Sequence, residues 1–378
     1  MDRRNFLTAS LAGAAIGTLG APTLAALQAN GLNPRIEDNV AWYNVEEWGV
    51  EGRAWKDTKS YFDRLPAKAE KTVRAAVWGL SRHSAGMVAR FASNSKNIRV
   101  RYELTKPNLA MAHMPATGVS GVDLYAENDR GESRWVNVSR PASQKVNVSL
   151  AANINLLPKN MSRNFSLYLP LYNGVKTLEV GVDQSSEFKG HSPREEKPVL
   201  FYGTSIMHGA CASRPGMSIS SILGRRLKTP VINLGFSGNG KMESDVVDLI
   251  CEKEVSVFVV DCLPNMNATL VKERTIPLVQ QFRKTHPTTP ILLVEDRTFT
   301  NSDFFKNRTE HHAASRRELK AAYTTLIQSG DKNLHYLTGK ELLGVDGEGA
   351  TDGSHPNDLG MMRYADAYEK ALKPILKS

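Results

Sequence analysis

The pattern of apolar residues changes character near residue 197, and that change limits the folds open to this 378-residue chain. Downstream, short apolar runs such as PVLFYG, VINLG and VSVFVVD alternate with helical stretches, among them ESDVVDLICEK, TLVKERTIPLVQQFRKTH and ASRRELKAAYTTLIQ. Strands alternating with helices predict an α/β domain, a parallel sheet with helices on both faces. Upstream, NIRVRYEL, SGVDLYAEN, RWVNV, NFSLYLPLY and TLEVGV are short, rich in β-branched or aromatic residues, and separated by Gly, Asn, Pro and Asp. They predict a β-sandwich, jelly-roll-like, over residues 38–190. The polar, proline-containing stretch 188–197 marks the boundary, with the α/β domain over 197–378. At 41% apolar residues the chain can bury two cores.

The α/β part carries FYGTSIM at 201–207 and DGSHPND at 352–358, so Ser205, Asp352 and His355 follow one another in chain order. A serine hydroxyl is a poor nucleophile until a base takes its proton, and an imidazole does so when a carboxylate fixes its tautomer. Ser205 follows a buried strand that turns sharply at Gly203, before a helix around 216–228. Asp352 and His355 lie in a Gly/Ser/Pro turn before a terminal helix that begins near Asn357 or Asp358, which puts them on the rim that Ser205 occupies. Either motif alone reads more readily as a plain turn, the first with a helix cap and the second with Asn357 as N-cap. Their ordered coexistence favours chemistry. Two more strand ends join them: VINLGFSGNG at 231–240, a glycine-rich loop in which Gly238 can offer a backbone N–H, and VSVFVVDCLPNMN at 255–267, where Asn265 can offer its amide.

Together these residues resemble the SGNH (GDSL-like) hydrolases, named for Ser, Gly, Asn and His in four separate blocks. Ser205, Gly238, Asn265 and His355 fall in that order over residues 197–378, and Asp352 stands three residues before the histidine. The resemblance implies a flavodoxin-like domain, a Ser205–His355–Asp352 triad, and an oxyanion hole of the Ser205 and Gly238 N–H groups with the Asn265 amide. Two positions depart from the family pattern: Thr204 replaces the usual Asp before the nucleophile, and Leu263-Pro264-Asn265-Met266 replaces Gly-x-Asn-Asp. A subgroup with such variation carries an N-terminal module signed Gly-x-Asp-Leu-Tyr. Here GVDLY at 121–125, MPATGVSG at 114–121 and LYLPLYNGV at 167–175 look like that module.

Residues 1–29 read as a targeting segment, with Arg3 and Arg4 followed by a short apolar stretch from Phe6 to Leu19 and small residues near a cut. It resembles a twin-arginine signal and implies a bacterial exported protein, periplasmic or secreted. The formal charge is +9, of which Asp2, Arg3 and Arg4 account for +1, and the scattered basic residues lack the stripe of a nucleic-acid binder. Cys211, Cys251 and Cys262 have neither C-x-x-C spacing nor an even count, which argues against a zinc site or disulfide framework and for buried, reduced thiols.

The resulting expectation is a metal-independent serine esterase that needs no cofactor and removes short acyl groups, acetyl above all, from carbohydrate or related small esters. His208, Arg214 and Arg297 are candidate substrate contacts. Neither nucleic acid nor stable membrane insertion after signal removal is expected. The rival readings are a non-catalytic carbohydrate-binding protein that retains the fold, a lipid or acyl-thioester hydrolase, and a metal-dependent hydrolase using Asp352 and His355 as ligands. No third clustered ligand follows those two, which disfavours the last.

Overall fold

The computed structural model describes residues 31–377; the expected export segment 1–29 lies outside the described residues. Among the described residues no helix is long and apolar enough to cross a membrane.

Ten strands build two antiparallel five-stranded sheets. The first is ordered β1 (Arg35–Glu37), β2 (Val40–Asn44), β9 (Val175–Asp183), β4 (Ile98–Leu104), β7 (Lys145–Ala151). The second is ordered β10 (Phe188–His191), β3 (Val88–Ser93), β8 (Arg163–Tyr168), β5 (Asp123–Glu127), β6 (Ser133–Val138). In β4 the exposure alternates residue by residue, so Ile98, Val100, Tyr102 and Leu104 enter a core shared with Phe91 and Leu167 of the facing sheet. This period of two makes the module a sandwich.

Five parallel strands form the third sheet, ordered β12 (Val231–Gly235), β11 (Val199–Gly203), β13 (Val257–Asp261), β14 (Ile291–Val294), β15 (Leu334–Leu337). In order of succession this is 2-1-3-4-5, the flavodoxin-like arrangement. β11, β12 and β13 are buried at every position. In β11, Leu200 and Tyr202 pack with helices Ser244–Cys251 and Ala268–Arg283, while Val199 and Phe201 pack with helices Ile219–Leu227 and Asp358–Lys377. Burial on both faces explains why these strands read as continuous apolar runs.

The two halves share core. Trp55, Leu65, Ala69, Val73 and Val77, which precede most of the sandwich strands, join the cluster on the outer face of β12 and β13. Met114, Val119, Leu171 and Tyr172 join the cluster on the opposite face. Residues 51–81 thus cross from the sandwich onto the α/β domain, where Arg74 pairs with Glu243 and Lys68 with Glu252. Arg64, fully buried in this strap, donates to the carbonyls of Leu80 and His83 and to those of Asn233 and Gly235 at the end of β12. Burial lowers the pKa of its guanidinium to about 9, and it remains a cation at neutral pH.

Candidate active site

The register of the parallel sheet brings three strand ends side by side: Gly203 of β11 lies opposite Gly235 of β12 and opposite Asp261 of β13. Ser205, Gly238 and Asn265 follow those ends within a few residues, at the carboxyl edge of the sheet where β11 is flanked by strands running off to either side. That is the topological switch point at which open α/β sheets bind their ligands. The fourth element, the loop before helix Asp358–Lys377, closes over the same edge.

Ser205 opens the one-turn helix Ser205–His208, which Thr204 caps by accepting the Ile206 N–H on its hydroxyl. Thr204 therefore serves as N-cap where the family pattern has Asp. Ser205 Oγ lies 2.8 Å from His355 Nε2, and His355 Nδ1 lies 2.7 Å from Asp352 Oδ2. The other carboxylate oxygen, Oδ1, accepts the backbone N–H groups of Ser354 and His355 at 3.0 and 2.8 Å. Burial acts to raise the Asp352 carboxyl, but these N–H groups and the ring outweigh it and hold the pKa at about 2. Asp352 thus presents an ionised oxygen to the imidazole at neutral pH.

The turn that carries the pair is tied at several points. Gly353 is left-handed at φ +84° and its carbonyl accepts the Thr300 N–H. Asn357 caps the terminal helix by accepting the Gly360 N–H at 3.0 Å, as the sequence predicts. At the solvent side the cleft is open: the side chains of His355 and Asp352 are 27% and 45% exposed. His113, exposed on a loop of the sandwich half, sets its ring centroid 6.1 Å from that of His355. Its sequence neighbourhood, just before MPATGVSG, was the only signal pointing there.

The glycine loop folds back on the nucleophile turn. Gly203 O accepts the Phe236 N–H at 2.9 Å, and a Cβ on Gly240 would stand 1.9 Å from that same oxygen, so no side chain fits there. Gly238 is left-handed at φ +69°. The Asn265 amide reaches the Phe236 and Gly240 carbonyls at 3.5 and 3.4 Å, the outer limit of hydrogen bonding, so it is anchored beside the loop without being saturated.

The three candidate substrate contacts sit elsewhere than expected. His208 is fully buried, stacked 4.2 Å from Tyr172, with Nε2 3.2 Å from His83 Nδ1. Burial, reinforced by the Arg64 charge, drives it well below the usual histidine range, so it is a neutral core residue with no surface for a substrate. Arg214 is bound to Asp123 of the sandwich half at 3.0 Å, and Arg297 is buried against Asp296 and the Ser354 side chain, bracing the turn before His355. His208 and Arg297 are enclosed by protein, and Arg214, half-buried, is paired across the two halves, because long-range packing, invisible locally, covers these loops.

Among the cysteines, all free, Cys262 is buried beneath Tyr202 and Cys211 is buried near the Asp352 turn, while Cys251 is only half-buried, contrary to expectation. Burial pushes the thiols of Cys211 and Cys262 up, which keeps them protonated and poor nucleophiles. Among the described residues no group of three or more His, Cys, Asp or Glu could hold a metal ion. A cavity of about 310 Å³ lies at the seam of the two halves, between Arg90, Tyr168 and Arg225, and does not include the Ser205–His355 pair.

Residues 196–373 match the model of the GDSL-like lipase/acylhydrolase family, and residues 40–188 match the GxDLY model, described as the N-terminus of SGNH-hydrolase-type esterases. A crystal structure described as a GDSL-like lipase from Bacteroides ovatus is 31% identical, with a TM-score of 0.84 over 90% of this chain and 98% of that one. The chain belongs to the GDSL-like lipase/acylhydrolase family. This GDSL-like protein is accordingly a serine ester hydrolase, with the parallel α/β domain and the N-terminal β module of that architecture. Two more distant structures share the fold: the salicylyl-acyltransferase SsfX3 of a tetracycline biosynthetic pathway (18% identity, TM-score 0.66, 91% and 96% covered) and a family two carbohydrate esterase from Cellvibrio japonicus (12%, 0.58, 89% and 98%). No curated protein matches the sequence.

Proposed function

We propose that this hydrolase removes short acyl groups, acetyl above all, from carbohydrate or related esters, after export by the twin-arginine route to the periplasm or beyond. The observation that carries the reading is the relay of Ser205 Oγ, His355 and Asp352 at 2.8 and 2.7 Å. Ser205 Oγ attacks the ester carbonyl carbon as His355 Nε2 takes its proton, and the ionised Asp352 holds the imidazolium in place. The N–H groups of Ser205 and Gly238 and the Asn265 amide receive the oxyanion. The tetrahedral intermediate collapses, the C–O bond to the alcohol breaks, and His355 returns the proton to the departing oxygen. Water, deprotonated by His355, then releases the acid and restores Ser205.

Three features support a carbohydrate ester. The His355 side of the cleft is open to solvent, which suits an alcohol that is part of a bulky chain. His113, on the sandwich half, is exposed and sets its ring 6.1 Å from that of His355, so the N-terminal module also borders the cleft. The fold, both halves included, is shared with family two carbohydrate esterases, one of them from Clostridium thermocellum in complex with cellohexaose (14% identity, TM-score 0.51, 77% and 92% covered).

The test is acetate release by the purified chain from a panel of acetylated polysaccharides, beside chromogenic esters of rising acyl length, with Ser205→Ala as blank. Acetate release from a polysaccharide and a steep fall with acyl length are expected. Turnover confined to long-chain esters, or none above the blank, contradicts the proposal.

A further inference from the structure

Asp123, the acid of the GVDLY signature, lies in β5 of the sandwich half and is completely buried, yet much of what it binds belongs to the hydrolase half. Its Oδ2 accepts the Gly216 N–H at 2.8 Å and pairs with the Arg214 guanidinium at 3.0 Å; its Oδ1 accepts the Trp135 indole N–H at 2.9 Å. Arg214 also donates to the Tyr125 hydroxyl, the last residue of the signature. Gly216 adds a steric reason for the arrangement: a Cβ there would stand 2.3 Å from the Tyr125 ring, so the loop and the signature strand are pressed together.

The loop that Asp123 grips, 209–217, is joined to both reacting groups. At its start, the Ala210 N–H donates to the Ser205 carbonyl at 2.9 Å. In its middle, Ser213 donates its N–H and its hydroxyl to the two carboxylate oxygens of Asp358, at 2.9 and 2.5 Å. Asp358 is the first residue of the terminal helix, three positions after His355. The sandwich half holds the same point from behind, where the Thr117 hydroxyl donates to the Ser213 carbonyl at 2.6 Å. One loop thus spans the nucleophile turn and the base turn, and the signature acid fixes it.

We infer that Asp123 is a positioning residue: through Arg214, Gly216 and the Ser213–Asp358 contact it sets the separation of Ser205 from His355. The inference rests on the reading of those two as the catalytic pair. It gives the N-terminal module a part in the reaction that needs no contact with sugar. A proton transfer across a 2.8 Å hydrogen bond is steeply sensitive to displacement, and a misplacement of about 1 Å costs on the order of 10²-fold in rate.

The test compares Asp123→Asn, Ser213→Ala, Asp358→Asn and the double variant Asp123→Asn/Asp358→Asn with the parent, in the full chain. Four quantities are read: kcat and KM on a small acetyl ester, the rate of covalent inactivation by a fluorophosphonate, and the melting temperature. Asp123→Asn is expected to lower kcat and the inactivation rate by about 10- to 100-fold with KM within about twofold. Ser213→Ala should show a smaller fall in the same two rates, and the double variant should be hardly worse than the more severe single, because the contacts act in series. Should Asp123→Asn fail to fold, Ser213→Ala decides, since it removes one hydroxyl only. Parental kcat and inactivation rate in a folded Asp123→Asn, or in Ser213→Ala, overturn the inference whatever the melting temperature. Ser205→Ala is run alongside: if it stays active the triad reading itself is wrong, whereas a dead Ser205→Ala beside a normal Asp123→Asn leaves that reading standing.

Discussion

At the scale of the residue, Asp352 and His355 share one short turn but divide their work. Three groups pull the Asp352 carboxyl down against its burial, to about 2, so it stays an anion far below neutral pH. Protonation of the Asp352 carboxyl therefore does not account for a loss of activity on mild acidification. Ser205→Ala and His355→Ala should each lower kcat by about 10⁴- to 10⁶-fold, and the double variant should be hardly worse, because the pair acts as a unit. A Ser205→Ala enzyme with a tenth of parental turnover would exclude a serine mechanism. Asn265→Ala should reduce kcat by roughly 10²- to 10³-fold with little change in KM, as expected for a lost oxyanion donor. Normal turnover with a lowered melting temperature would instead make Asn265 a strut for the glycine loop, which its contacts to Phe236 and Gly240 also permit.

At the scale of the element, β13 ends on an acid that the chemistry does not use. Asp261 is buried, its Oδ2 accepts the Tyr368 hydroxyl at 2.8 Å, and its other oxygen has no partner. Burial raises its pKa to about 7, the Tyr368 hydrogen bond notwithstanding. The folded state thus holds this proton more tightly than the unfolded chain, whose carboxyl titrates near ~3.9. The sign follows: stability is fully present below that unfolded value and is lost as pH rises through about 7. At ~1.4 kcal/mol per pKa unit the effect amounts to a few kcal/mol. Denaturant titrations at pH 5 and pH 8 should show the parent less stable at pH 8, and Asp261→Asn should remove most of that difference. An unchanged difference in Asp261→Asn would place its origin in other groups.

At the scale of the whole molecule, the two halves are distinct in topology but continuous in core. The α/β sheet is covered on one face by Trp55, Leu65, Ala69, Val73 and Val77 and on the other by Met114, Val119, Leu171 and Tyr172, all from the N-terminal half. Burying an aliphatic or aromatic side chain of valine size or larger is worth ~1.5–3 kcal/mol, so removal of the eight besides Ala69 costs about as much as the whole net stability of an ordinary domain. Residues 197–378 expressed alone should be insoluble or lack a cooperative melt, whereas the full chain should unfold in one transition by calorimetry. A soluble 197–378 fragment with parental kcat would refute both this and the inference about Asp123.

Much of the site was legible because each block is a local event. An apolar run that ends in Gly203 and Thr204 makes a strand, a sharp turn and a cap from its own residues, and Asp352 reaches His355 within three positions of one turn. The order of the blocks then needs only the parallel sheet, which the alternation of strands and helices dictates. Strands β1, β2, β3, β7 and β10 did not stand out; β1 and β10 are short, and β3 and β7 do not keep a clean alternation. Arg214, Arg297 and His208 read as substrate contacts because a polar side chain next to a catalytic motif looks the same whether it faces solvent or another part of the chain. Tertiary structure decided otherwise, since Asp123 lies 91 positions from Arg214 and His83 lies 125 from His208. The sequence by itself determined which candidate groups meet and on which edge of which sheet they stand, through short-range turns and period. Only the tertiary structure decided what holds them there, because burial and charge pairing depend on partners that no local pattern records.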